Sequence, residues 1–165
     1  VKVGQVMKRD VVRASPDEDV RSIAKKMIEH DVPIVPVVEG RKYRGTVTFR
    51  RLLKELERIS NRSGFVFMPT LFDVLEFPLM VPEVRKKEWS EVLREFAALK
   101  AEEVMEHRYP TLREDDDLEY AIEVFTEKGI SSVPVVDGDG NLVGVLSRRG
   151  LLEALLRSAS NGRAD

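Results

Sequence analysis

Val35-Pro36-Val37-Val38 and Val133-Pro134-Val135-Val136 are the same four residues in the same order, 98 positions apart. Working outward from them, the match continues at the same offset. Val6-Met7-Lys8 meets Val104-Met105-Glu106, and Asp17-Glu18-Asp19-Val20 meets Asp115-Asp116-Asp117-Leu118. Beyond the quoted strand one residue is gained. Gly45-Thr46-Val47-Thr48 then meets Gly144-Val145-Leu146-Ser147, and Leu52-Leu53 meets Leu151-Leu152, both 99 apart. A register kept over some 47 residues, with turns in matching places, is an internal repeat. It divides the chain into two copies of one unit, about 1–53 and 101–153.

Each copy predicts the same order of elements. In the first, Val3–Met7 is a short leader and Val11–Ala14 an extended piece. Ser15 reads as a helix cap, with Pro16 at the first helical position and Glu18 three residues beyond the cap. Val20, Ile23, Ala24, Met27 and Ile28 make the i, i+3, i+4 stripe of a buried helix face. Val35–Val38 is a short apolar strand, Glu39-Gly40-Arg41-Lys42 a turn, and Tyr43–Val47 the strand that pairs back. Arg50–Ile59 is a second helix with Leu52, Leu53 and Leu56 inward. In the second copy Leu118, Ala121, Ile122 and Phe125 lie on a helix that stops at Gly129. Strand 133–136, the Asp137-Gly138-Asp139-Gly140 hairpin, strand 142–146 and helix 149–157 follow. A β-α-β-β-α unit exposes apolar surface on sheet and helices alike, and two units bury it against each other. The expected fold class is α/β (α+β), two such repeats packed with pseudo-twofold symmetry and a cleft on each side. The expected divisions are repeat 1 over 1–59, an insert over 60–99, repeat 2 over 100–158 and a flexible tail over 159–165.

Composition narrows the function classes. The 165 residues are 42% hydrophobic and 34% charged, enough for both a core and a soluble surface. No apolar run approaches the roughly 20 residues that cross a bilayer. Lys2, Lys8 and Arg9 are followed by no apolar stretch, so no secretory signal and a cytoplasmic location are expected. There is no cysteine, which excludes disulfides, thiolate metal sites and cysteine nucleophiles, and only two histidines, His30 and His107. A single glutamine beside many charged residues tends toward thermophilic composition. The net charge of −2 hides an asymmetry. Residues 1–50 carry 11 basic and 7 acidic side chains, residues 101–150 carry 5 and 12. Such a field steers a partner or orients two subunits, and with no long basic stripe it does not suggest nucleic acid.

The ordered motifs resemble the CBS domain, and their tandem arrangement resembles a CBS-domain pair, or Bateman module. The residues that carry the likeness are Val6-Met7, Val35-Pro36-Val37-Val38 and Gly45-Thr46-Val47-Thr48, then Val104-Met105, Ser132-Val133-Pro134-Val135-Val136 and Gly144-Val145-Leu146-Ser147. The resemblance covers roughly 105 of the 165 residues. It implies a disk-like homodimer that binds adenosine nucleotides or related ligands in its clefts and regulates attached or partner proteins. AMP, ADP, ATP and S-adenosylmethionine are the implied regulatory ligands; no cofactor is required. Family members that bind AMP or ATP often carry Thr/Ser-x-x-Asp, whose acid grips the ribose. Here the segments are Thr48-Phe49-Arg50-Arg51 and Ser147-Arg148-Arg149-Gly150, so both hydroxyls are kept and both acids lost. Arg51 only donates hydrogen bonds, and Gly150 has no side chain. The substitutions supply cations suited to phosphate at a helix start. The candidate ligand-binding residues are Ile34, Pro36, Thr48, Arg50 and Arg51 in one repeat and Ser132, Pro134, Ser147, Arg148 and Arg149 in the other. Arg13 and Arg113, read as equivalent positions before each helix, join them. Two readings stand open. One is a ligand sensor; the other is a structural or protein-binding module whose clefts are plugged by its own side chains, Arg51 foremost.

Two further stretches call for a reading. Residues 60–99 interrupt the repeats with five of the seven phenylalanines and three prolines. Val84, Trp89, Val92, Leu93 and Phe96 suggest a helix from Pro82. This insert is expected to fold back as core, to form a subunit contact, or to present a membrane- or partner-specific surface. Glu114-Asp115-Asp116-Asp117 is expected in the first turn of a helix, where acids suit the dipole. His30 and Lys128 are expected near helix C-termini, where cations do. No nucleophile elbow surrounds Ser147, no glycine-rich phosphate loop is present, and no enzyme, metal site or integral membrane segment is expected.

Overall fold

The structure, a computed structural model, describes residues 1–62 and 88–162. A 3-10 turn at Val3–Gln5 leads to α1 (Val20–His30), β1 (Ile34–Glu39), β2 (Lys42–Thr48) and α2 (Phe49–Arg62). After the undescribed stretch come α3 (Trp89–Ala98), α4 (Ala101–Val104), β3 (Leu112–Arg113), α5 (Leu118–Lys128), β4 (Ser132–Val136), β5 (Leu142–Ser147) and α6 (Arg148–Asn161). Both hairpins are antiparallel, Ile34 opposite Thr48 and Ser132 opposite Ser147. β3 runs parallel to β4, and Ala14 forms the corresponding parallel bridge to Val37. Each copy is therefore the expected β-α-β-β-α unit.

The repeats exchange their leaders. Val3 N and Gly4 N donate to Asp116 O and Glu114 O, each at 2.9 Å, while Ala101 N and Glu102 N donate to Glu18 O and Pro16 O at 2.8 and 3.0 Å. Lys8 bridges Val145, and Glu106 bridges Thr46. These contacts are related by the same offsets as the sequence repeat, which makes the pseudo-twofold a property of the hydrogen bonds as well as of the chain. The cores record the same exchange. Ala14, Val20, Ile23, Val35, Val37, Val47 and Leu52 are closed by Ala101, Val104 and Met105 of the other copy. Leu112, Leu118, Ala121, Val133, Val135, Leu146 and Leu151 are closed by Val3. The hairpins also meet across the axis, with Tyr43 N on Gly140 O at 3.0 Å and Leu142 N on Arg41 O at 2.9 Å.

The exchange explains two departures from the expected helix starts. Ser15 does not cap α1. Asp19 does, its side chain accepting from Ser22 N at 2.8 Å, while the Ser15 hydroxyl donates to Asp17. The carbonyls of Pro16 and Glu18 are claimed by the exchanged leader, which holds the chain off helical geometry until Asp19. For the same reason Glu114, Asp115 and Asp116 lie ahead of α5, and Asp117 is only its N-cap. Two of their side chains serve the other repeat: Lys2 pairs with Asp117 and Arg9 with Glu114, both at 2.7 Å. Part of the charge asymmetry is thus spent inside the molecule.

α1 ends at Asp31, whose φ of 49° is left-handed, whereas its counterpart Gly129 holds φ 59° at no steric cost. Asp31→Gly is expected to raise stability by a few tenths to about 1 kcal/mol, read as a higher urea midpoint at unchanged slope.

On α2 the buried stripe is Leu52, Glu55 and Ile59. Leu53 is 49% exposed, against the inward expectation. It lies about 100° around the helix from Leu52 and so faces away once Leu52 is seated. On α5 Ile122 is likewise exposed. Glu55 is tolerated inside because Arg51 Nη2 and Arg58 Nη2 reach its two oxygens at 3.0 and 2.8 Å.

α3 packs on α1 and α2. Val92 is buried, and Phe96 and Leu99 lie against the first core, so this part of the insert folds back as core. Trp89 and Leu93, expected on the same buried face, are exposed. Val84 and the four phenylalanines from Phe65 to Phe77 lie outside the described residues.

Candidate ligand cleft

A cleft of about 780 Å³ opens where the entries to the two hairpins face the leader of repeat 2. Its first wall is Pro33, Ile34 and Thr48 to Arg51, from the start of β1 and the β2–α2 junction. Its second is Glu103 and Met105 to Pro110, from the exchanged leader and the chain beyond it. Lys128 to Ser131, between α5 and β4, close it. Both repeats contribute, because leader exchange carries residues 103–110 onto the first repeat.

The hydrogen bonds fix the floor. Thr48 Oγ1 accepts from Arg51 N at 3.1 Å, which caps α2, and donates to Glu106 Oε2 at 3.0 Å. Glu106 is itself held at the backbone by Thr46, N to O at 2.8 Å and O from N at 3.1 Å. The Tyr109 hydroxyl donates to Ser132 O at 2.7 Å, and Tyr43 and Thr46 share a hydrogen bond of 2.5 Å between their hydroxyls. Burial, followed by the negative charge of Glu106, pushes Tyr109 up to about 12; burial also takes Tyr43 to about 12. Both phenols are therefore neutral at ordinary pH. Their protonated forms stabilise the fold below pH 10, the ordinary tyrosine value, and that stabilisation is lost as pH rises from 10 through 12. The urea midpoint is expected to fall across this window, and Tyr43→Phe to flatten the fall.

Cations dominate the rim. Arg50, Arg51, Arg108 and Lys128 line the cleft against Glu103 and Glu106. Arg51 is paired with Glu55, and its Nε is buried without a partner. Among the described residues Arg50, Arg108 and Lys128 make no ion pair. One face of the cleft thus presents unpaired positive charge, over Thr48 and Tyr109 hydroxyls that are held by Glu106 and Ser132. No group of three or more metal-ligating side chains occurs among the described residues. Phe49, exposed at the mouth, adds an aromatic face.

Ile34, Thr48, Arg50 and Arg51 line the cleft as candidates from the sequence. Ser132 reaches it only through its carbonyl, the acceptor of Tyr109. Pro36 and Pro134 are buried within their strands, opposite Thr46 and Val145. Ser147 occupies the symmetric position to Thr48 and caps α6 through Gly150 N at 3.1 Å. Arg148 is exposed, with its backbone N on Ser131 O, and Arg149 is exposed and paired with Glu153 at 3.2 Å. Arg13 and Arg113 are not equivalent positions. The bridges Ala14–Val37 and Leu112–Val135 fix the offset at 98, so the two arginines, 100 apart, sit at different exposed places on their edges.

His107, Arg108, Tyr109 and Lys128 were not legible as site residues. Lys128 reads as a helix-terminal cation, which it also is, and the others belong to a loop that only the exchange brings to the first repeat.

Comparisons with known proteins agree with this architecture. An uncharacterised protein of Methanocaldococcus jannaschii, MJ1426, is 24% identical over 93% of the chain and 90% of its own length. The crystal structure of CBSX2 in complex with AMP superposes with a TM-score of 0.68 at 20% identity, covering 96% of this chain and 98% of that one. The CBS domain pair of MJ0100, in complex with 5′-methylthioadenosine and S-adenosyl-L-methionine, gives 0.65 at 18% identity, covering 96% and 98%. The CBS domain family matches residues 3–58 and 101–157. With both repeats matched, the chain belongs to the CBS-domain family as a tandem pair.

Proposed function

We propose that this CBS pair is a sensor whose cleft between the repeats takes a small anionic ligand containing adenosine, AMP, ADP, ATP or S-adenosylmethionine among the candidates. The observation that carries this is the set of cations with no ion pair, Arg50 from one repeat and Arg108 and Lys128 from the other, around a single cleft. A ligand that bridges them binds one packing of the repeats better than another, which is what a regulatory shift requires. That AMP and S-adenosylmethionine occupy similarly folded pairs supports the adenosine part. Phe49 and Tyr109 supply surfaces for a base. The outer faces of α2 and α6 expose Leu53, Leu152 and Leu156, which supports a homodimer, read as twice the chain mass by light scattering. No helix among the described residues is long and apolar enough to cross a membrane.

A second reading has its own observation. Thr48 already donates to Glu106, and Arg51 is paired through Nη2 with Glu55, as in a cleft that plugs itself. Thermal-shift titration of nucleotide-stripped protein with AMP, ADP, ATP, S-adenosylmethionine and NAD separates the two. Saturation at about a hundred times Kd stabilises by about 2.7 kcal/mol, or about 5–10 °C at this size. A saturable shift with an adenosine ligand supports the sensor; none with any of the five, in folded protein, supports the interaction module.

A further inference from the structure

The acid that both Thr/Ser-x-x segments lack has a stand-in from the other repeat. We infer that Glu106 is the hydroxyl-gripping residue of the cleft, accepting from the sugar hydroxyls of the ligand and selecting a ribose over a deoxygenated sugar. This rests on the adenosine-ligand reading above and adds a specificity to it.

Three observations carry it. Glu106 lines the cleft, and its backbone is pinned to Thr46 in both directions. Its carboxylate is also pinned, but at one oxygen: Oε2 accepts from Thr48 Oγ1 at 3.0 Å, while Oε1 has no partner among the described residues. A carboxylate accepts at both oxygens, so this one is held in place with acceptor capacity left over in an otherwise cationic cleft. The other acid of the lining, Glu103, differs. Its Oε2 is spent on Lys100 N at 2.7 Å, closing the N-terminal turn of α4.

The pairing with cations gives the site a polarity. A ligand with an anionic end toward Arg50, Arg108 and Lys128 and neutral hydroxyl donors elsewhere matches both, whereas an all-anionic ligand meets Glu106 with repulsion. Hydrogen bonds to a charged acceptor are the strong class, so loss of the sugar hydroxyls is expected to be felt. The arrangement is also one-sided. The residue equivalent to Glu106 is Lys8, which bridges Val145 as Glu106 bridges Thr46. On that side Gly150 replaces Arg51 and no acid takes the equivalent place. One such ligand per chain is the expected stoichiometry.

The test is calorimetric titration with the tightest binder among AMP, ADP and ATP and with its 2′,3′-dideoxy counterpart. The wild-type protein is expected to favour the ribose form tenfold or more, at one site per chain. Glu106→Gln, checked for a native melting curve, is expected to bring the ratio to within about threefold by weakening the ribose form. Equal wild-type affinities for the two sugars overturn this inference and leave the sensor reading standing. So does a discrimination that Glu106→Gln preserves, or two equal sites per chain. Binding of neither a nucleotide nor S-adenosylmethionine overturns both. Because the wild-type ratio is decisive by itself, a misfolded variant does not rescue the idea.

Discussion

Gly144→Ala is expected to lower stability by about 1–3 kcal/mol, a fall in melting temperature of about 2–12 °C. A Cβ at residue 144 would lie 2.7 Å from Lys8 O and 2.7 Å from Met7 Sδ. The methionine has rotamers to move into. The carbonyl does not, because Lys8 O accepts from Val145 N at 2.9 Å in the bridge that docks the exchanged leader. Relief therefore requires the leader to lift, which uncovers Val3 at the heart of the second core. Gly45→Ala repeats the experiment in the other repeat, where the Cβ would meet Glu106 O at 2.9 Å and Met105 Sδ at 3.0 Å. Its cost is expected to be similar, with an added loss of ligand affinity because Glu106 is displaced. Thermal or urea unfolding of the two variants checks the first effect. Unchanged stability in both would mean that the leaders are not docked as described.

Reversing one rim charge is expected to have the largest effect on binding. Arg108→Glu replaces a cation with no ion pair by an anion in a cleft that already holds Glu103 and Glu106. Close like charges on a bound phosphate are expected to weaken binding by about a hundredfold or more, since both the lost attraction and the new repulsion count. Arg108→Ala is expected to lose about tenfold. Raising salt should weaken the wild type more than the alanine variant, because screening acts on the charge that the variant lacks. Arg108 is exposed and bonded to nothing described, so melting temperature without ligand is expected to change little. An affinity unmoved by charge reversal would place the ligand elsewhere.

What was readable in the sequence and what was not divide along one line. The strands around Pro36 and Pro134, the hairpin at Asp137–Gly140 and the stop at Gly129 follow from local pattern and from the repeat, and they stand where expected. Positions set by the exchanged leaders were not readable. Ser15 and Pro16 have the chemistry of a helix start, but the exchanged leader, through the amides of Ala101 and Glu102, claims the carbonyls of Glu18 and Pro16. Leu53 has the chemistry of a core residue, but one helix face cannot seat both Leu52 and Leu53. The pattern Arg51-x-x-x-Glu55-x-x-Arg58 did carry a usable signal for the buried Glu55, since i+4 and i+3 partners lie on one face. The cleft was half legible. Thr48, Arg50 and Arg51 follow from the motif, whereas Glu106, Arg108 and Lys128 enter by a tertiary route that no local spacing encodes.

In the proposed sensor, one cleft between the repeats holds the ligand. Hydrogen exchange of the nucleotide-stripped protein, with and without a saturating amount of the adenosine ligand that most raises its melting temperature, tests it most directly. Added protection is expected to concentrate at residues 48–51, 105–110 and 128–131, which line the cleft from both repeats. Protection absent from these three segments, or centred on 147–150 in their place, would contradict it.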